Sequence, residues 1–166
     1  MQDIIYKPIG IIRTQFKESN GTPIQPAGAR GSEGKVQVFP KYTKGLVDLD
    51  GFSHIILIYH FHLAQKGKTS VRPYMDEQTH GVFATRSPAR PNKIGISVVE
   101  LIKVKGEILH VKDVDIIDNT PVLDIKPYVK EFDEPGRTVK GWLGQRIHRL
   151  QSARADGRFS NDKKRG

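Results

Sequence analysis

Arg86 and Arg90 stand four residues apart in Gly81–Leu101, GVFATRSPARPNKIGISVVEL. A guanidinium is a planar fork that matches a carboxylate or a phosphate, and Asn92 adds one donor and one acceptor group. Pro88 and Pro91 fix their own φ, remove two backbone donors and push Ser87 and Arg90 towards extended backbone. A loop stiffened in this way suits the holding of side chains in one geometry, and binding residues collect on loops carried by rigid strands. The plainer alternative is a Pro-rich hairpin loop with solvated arginines. A second group is acidic: Asp115 and Asp118 bracket Ile116-Ile117, just before the turn residues Asn119-Thr120-Pro121. Carboxylates there could hold ribose hydroxyls or simply cap the turn.

A third group is basic and aromatic. In His54–Leu63, HIILIYHFHL, strand alternation puts His54, His60 and His62 on one side and Tyr59 and Phe61 on the other. The H-x-H pair points two imidazoles the same way, as some metal sites require. No third and fourth ligands stand out, and hydrogen-bonded histidines are the commoner outcome, so no metal is expected. There is no G-x-G, no nucleophile elbow and no P-loop in the chain, which argues against a Rossmann nucleotide site.

The elements that must position these groups read as short strands. Ile4–Arg13 is expected to be a first strand marked by Pro8 and Gly10, and Lys17–Gly34 a long Gly/Pro-rich loop of the kind that is usually functional or mobile. Lys35–Phe39 alternates as a half-buried strand, and Tyr42–Leu49 holds one or two helical turns. His54–Leu63 reads as a central strand buried on both faces, and Val82–Thr85 as another strand. Ile94–Val104 and Gly106–Val114 form a hairpin about Lys105-Gly106. Beyond a linker at 131–137, Val139–Ala155 reads as a basic amphipathic helix. Its expected inward face is Trp142, Leu143, Ile147 and Leu150, and its outward face Arg146, Arg149 and Arg154. Residues from Asp156 onward read as disordered.

Composition bounds the rest. The 166 residues suffice for one domain with a true core, and 16 glycines with 10 prolines favour many turns and short strands. Zero cysteines exclude disulfides, thiolate ligands and a cysteine nucleophile, and fit the cytoplasm. No apolar run reaches the roughly 18–20 residues that span a bilayer, and no signal peptide is expected. Of the net charge of +9, residues 135–166 carry +7. A polyanion partner, or a merely solvated tail, would account for that.

Three stretches, GFSHIILIYHFH, GVFATRSPARPNKIGISVVEL and DIIDNTPVLDIKPY, resemble the signature blocks of the TrmO (TsaA-like, YaeB-like) family. The resemblance runs roughly from Ile4 to Val129. It implies a small antiparallel β-barrel, mainly β, with residues 1–134 forming the barrel domain and 135–166 a basic C-terminal extension. It implies S-adenosyl-L-methionine as cofactor near a homodimer interface, tRNA as partner, and methyl transfer to N6 of N6-threonylcarbamoyladenosine beside the anticodon. The cofactor contacts it implies are Gln25, Pro26, Ala27, His62, Leu63, Arg86, Ile96, Asp115, Ile116, Ile117 and Asp118. Arg86 would pair with the methionyl carboxylate, and Asp115, Asp118 or a water would take the acceptor's proton. Arg90, Asn92 and the basic tail are the expected RNA or loop-bracing contacts. Many members carry Gln, Gly and Gly where Leu63, Asn119 and Ala27 stand, and a larger C-terminal part. The alternatives are a non-catalytic RNA-binding barrel, or a methyltransferase of this scaffold with another acceptor.

Overall fold

The computed structural model describes residues 2–161. Its strands are β1 (Gly10–Thr14), β2 (Glu33–Val38), β3 (His54–His60), β4 (Ser70–Val71), β5 (His80–Gly81), β6 (Ile94–Lys105), β7 (Ile108–Lys112) and β8 (Thr120–Pro127). Six of them close into an antiparallel barrel in the order β1-β2-β7-β6-β3-β8, with β8 pairing back onto β1; β4 and β5 form a separate two-stranded sheet. Closure leaves no unpaired edge on the barrel. The expected hairpin is present: β6 and β7 turn through Lys105-Gly106, where Gly106 takes a φ of +58°, a left-handed value that glycine adopts at no steric cost.

Alternation fills the barrel. Ile12, Val36, Ile55, Leu57, Val99, Leu109 and Val122 all point inward and are fully buried. Burying an aliphatic side chain of this kind is worth roughly 1.5–3 kcal/mol. Strand β3 is not buried on both faces: Ile55, Leu57 and Tyr59 go in while Ile56 and Ile58 stay half exposed, since a barrel wall has one dry side.

Other expectations are corrected. The first strand begins at Gly10 rather than Ile4, and Ile4, Ile5 and Tyr6 are exposed. Val82–Thr85 is not a strand; Val82–Ala84 is a 3-10 turn with Thr85 N–H bonded to the Val82 carbonyl. The stretch read as a linker contains one helical turn, α1 (Lys130–Asp133). No continuous helix spans Val139–Ala155. Two 3-10 turns, Gly141–Leu143 and Ile147–Arg149, stand there, separated by residues 144–146. Residues 156–161 are ordered: Phe159 and Ser160 are buried, and Ser160 bridges to Ala64. Phe159 packs with Val71, Val82 and Ala89 in a second apolar cluster outside the barrel. The rest of the expected disordered stretch lies outside the described residues.

Candidate active site

At one end of the barrel, where β3 finishes and β6 and β8 begin, lies a cavity of about 640 Å³. That volume suits a ligand of cofactor size. Its floor is Tyr59, Phe61 and Gly95. Its sides are the segment Asp115–Ile117, the stiff loop at Arg86–Pro88, and Ile24-Gln25. Its far wall is the C-terminal segment through Trp142, Leu143, Ile147 and Leu150.

Asp115 is the acidic group in the wall. It accepts a hydrogen bond from the Ser97 hydroxyl at 2.7 Å, and the Ser97 oxygen lies 3.0 Å from the Tyr59 hydroxyl. Because Ser97 spends its one proton on Asp115, Tyr59 must donate to Ser97, giving an ordered relay Tyr59→Ser97→Asp115. Removal from water is the main effect on Asp115. Against the opposing pull of the Ser97 bond and of Arg86, it pushes the carboxyl from 3.8 up to about 6. Burial likewise raises the Tyr59 hydroxyl far above its ordinary value, with Asp115 adding to the effect, so it stays protonated. Gly95 makes room for the ring: a Cβ there would sit 2.3 Å from Tyr59 Cε2.

Arg86 lies at the exposed rim, its Nη1 donating to Gln25 Oε1 at 2.8 Å. Gln25 precedes a 3-10 turn at Pro26–Gly28 with extended backbone, which carries its side chain to the loop. Arg90 turns back to donate to the Thr85 carbonyl at 3.2 Å, bracing the loop. His62 lines the cavity with its Nδ1 3.3 Å from Thr120 Oγ1.

The expected site residues thus divide. Gln25, His62, Leu63, Arg86, Ile96, Asp115, Ile116 and Ile117 come together around the cavity, whereas Pro26 and Ala27 are not among its lining. Asp118 faces the other way. It accepts from Thr14 N–H at 3.0 Å, Lys17 Nζ at 2.7 Å and Asn119 Nδ2 at 2.9 Å, tying the turn to β1. Burial alone would raise its pKa, but these donors hold it below the usual carboxylate value. Asn119 sits at φ +62°, a left-handed position that admits Asn or Gly. The three histidines do not converge: His54 bonds Ser53 and abuts Tyr128, and His60 is exposed. Among the described residues there is no group of three His, Cys, Asp or Glu side chains placed to hold a metal.

Two features escaped the sequence. Ser97 is buried in the otherwise apolar inward phase of β6, and that polar interruption was the available signal. The second is a lock on the C-terminal wall. The Asp76 carboxylate receives His80 Nε2 at 2.9 Å and Arg146 Nη2 at 3.0 Å, while Trp142 stacks on His80 with ring centroids 4.5 Å apart. Trp142 Nε1 also donates to the Ala84 carbonyl. Arg146, expected to point outward, is therefore an inward tie, though Trp142, Leu143, Ile147 and Leu150 do face inward.

Fold and site together define a ligand-binding β-barrel with a guanidinium at the rim of its cavity and a carboxyl of raised pKa in the wall. The family model for the tRNA-methyltransferase O N-terminal domain matches residues 11–134, and the chain belongs to this TrmO family. A probable S-adenosyl-L-methionine-binding protein of Pyrococcus abyssi is 58% identical over 156 residues, covering 94% of this chain and 85% of that protein. A human tRNA (adenine(37)-N6)-methyltransferase is 37% identical over 146 residues, covering 83% of this chain and 33% of its own length. A crystal structure of TrmO from Pseudomonas aeruginosa superposes with a TM-score of 0.72 at 36% identity, covering 85% of this chain and 63% of that one. The chain therefore spans less than two thirds of that crystal chain and a third of the human protein.

Proposed function

We propose that the chain is an S-adenosyl-L-methionine-dependent tRNA methyltransferase, and that its acceptor is N6 of N6-threonylcarbamoyladenosine beside the anticodon. The observation that carries this reading is the meeting of Arg86 and Asp115 at one cavity in a chain of the TrmO family. The residues fit the cofactor: a guanidinium suits its amino-acid carboxylate, Asp115 a hydroxyl, an amine or a positive centre, and Leu63, Ile96, Ile116 and Ile117 an apolar ring.

When bound, the cofactor supplies a methyl group on a sulfonium, with a neutral thioether as the leaving group. Arg86, held by Gln25, fixes one end of the cavity's occupant, and the apolar wall excludes water. Orientation of this kind can supply up to roughly 7–11 kcal/mol of barrier reduction. The acceptor nitrogen must lose a proton. Asp115 is the base suited to it, because its carboxyl, pushed up to about 6, is ionised at neutral pH yet close enough to it to accept. Ser97 and Tyr59 are positioning residues behind it. Asp118, turned to β1, is assigned a structural role.

A homodimer belongs to the proposal. Outside the barrel, Ile58 pairs with Ile96 and Ile56 with Val98 across β3 and β6. Ile94, Ile96 and Val98 of that patch are 41%, 50% and 37% exposed, and Ile94 and Ile96 also line the cavity. A second copy seated there would finish both the patch and the cavity wall. A tRNA substrate and a sequence without cysteine suit the cytoplasm.

The test is mass spectrometry of nucleosides from tRNA incubated with protein and S-adenosyl-L-methionine, with the methyl expected on N6-threonylcarbamoyladenosine. Methyl on another nucleoside would keep the scaffold chemistry and overturn the acceptor. Cofactor binding without any methylated product would overturn the enzyme. In calorimetry, Arg86→Ala should weaken cofactor binding by about tenfold or more, since a charge-assisted pair is worth about 1.5–3 kcal/mol. Unchanged affinity would contradict the role of Arg86.

A further inference from the structure

Four basic side chains lie directly opposite one another across four adjacent strands. Arg13 of β1 pairs with Lys35 of β2, Lys35 with His110 of β7, and His110 with Lys103 of β6. All four belong to the outer face, where they line an open hollow of about 620 Å³ together with Lys17. At roughly 4.7–4.9 Å between strands, the row is about 14 Å long. The next row on the same strands is compensated: Lys112 stands opposite Glu33 and Glu100, 4.0 Å from the latter's carboxylate. In the basic row, Lys35 and Lys103 make no ion pair among the described residues. The two carboxylates of the hollow are Glu33 and Asp118, and the latter is taken by Lys17 at 2.7 Å.

Like charges placed opposite each other on a sheet cost stability, so folding alone does not account for the row. Its construction is specific as well. A β-bulge lies between Leu101 and Lys103, so that Ile102 is an extra residue. Without it, alternation would turn Lys103 into the barrel after buried Leu101 and exposed Ile102. The bulge resets the phase and leaves Lys103 and Lys105 outside. Burial first, then Lys103, Lys35 and Lys105, hold His110 below its ordinary pKa, against a smaller opposing pull from Glu33.

We propose that this row is a docking track for the phosphate backbone of the RNA substrate. It lies on the barrel wall itself, apart from both the stiff loop and the basic C-terminal segment. The segment Asp115–Asp118 separates the two hollows: Asp115, Ile116 and Ile117 face the cavity, and Asp118 faces the track. A strand gripped along the row is thereby anchored next to the wall that carries Asp115. Lysines on a sheet contact phosphates without reading sequence, so the track sets register and affinity rather than base choice. This inference rests on the reading of the substrate as tRNA.

The experiment measures binding of a tRNA transcript by fluorescence anisotropy across a salt series, with S-adenosyl-L-methionine binding by calorimetry in parallel. The double variant Lys35→Ala, Lys103→Ala should bind tRNA about tenfold or more weakly, with a salt slope shallower by about two. Its cofactor affinity should be unchanged, and Lys35→Arg with Lys103→Arg should restore binding. Both positions are exposed and mutually repulsive, so the alanine variant should melt no lower than the wild type. Undiminished tRNA binding by the alanine variant overturns the track and leaves the methyltransferase reading standing. Failure of the wild-type chain to bind the cofactor strikes that reading instead. Lysine-dependent binding to phosphatidylserine vesicles, with tRNA binding unaltered, would assign the row to a membrane and overturn the proposal.

Discussion

Two aspartates three residues apart take opposite parts because Asp115 lines the cavity and Asp118 the hollow on the other side of their segment. Asp115 is kept from water and raised to about 6. Its folded pKa exceeds the unfolded 3.8, so between those values the folded state binds more protons and loses stability as pH rises. Asp115→Asn removes that loss. Relative to the wild type, the variant's melting temperature should climb from pH 3.8 to about 6 and then level off, while methyl transfer falls. Asp118 has the opposite sign: its lowered pKa contributes stability that disappears as pH falls through the acid range. Asp118→Ala leaves Thr14 N–H without its partner and should cost about 1–3 kcal/mol in denaturant unfolding near neutral pH. An activity loss beyond that loss of fold would return Asp118 to the chemistry. The sequence offered both carboxylates equally, because spacing along a chain does not say which side of an αL turn a side chain takes. Thr14 and Lys17, about a hundred positions away in the chain, decide it by binding Asp118.

Among the elements, hydrophobic alternation made the barrel strands legible, and Lys105-Gly106 marked its own hairpin. The failures have physical causes. Ile4-Ile5-Tyr6 has strand-like residues but no neighbour to pair with, and Val82 is buried in a turn rather than a strand. The helical period in residues 139–155 correctly put Trp142, Leu143, Ile147 and Leu150 on one side. Packing against the cavity, with Gly141 at φ +53° and Gly144 between the turns, broke the segment into short pieces. What holds that segment is the buried Asp76 with Arg146 and the His80–Trp142 stack, a tie among residues up to 70 positions apart that no local pattern reveals. Arg146→Ala should cost roughly 1–3 kcal/mol and speed hydrogen exchange in residues 141–150, with weaker cofactor binding. At the cavity floor, Gly95→Ala drives a methyl into the Tyr59 ring, an overpacking worth typically about 1–3 kcal/mol. Denaturant unfolding would register the cost, and calorimetry a weaker cofactor complex as the relay to Asp115 shifts.

For the molecule as a whole, fold class, family and cofactor followed from blocks that are contiguous in sequence, and the closed barrel agrees with them. The basic row did not emerge, because its members are spread from residue 13 to residue 110 and only register aligns them. Sedimentation should show a dimer that Val98→Asp splits, since a carboxylate in the outer Ile56–Ile58–Ile96 patch would be buried without a partner.

The distant wall of the cavity has a consequence for how the molecule is born. Domains form as their chain emerges from the ribosome, and β1 to β8 all precede the residues that pack over the cavity. The barrel can therefore close while its chamber still lacks a roof. Only when Trp142 has stacked on His80, and Phe159 and Asn161 have bonded to Gln65 and Leu63, does the chamber gain the last wall that its own chain supplies. A chain released after residue 134 should already resist proteolysis yet retain no cofactor.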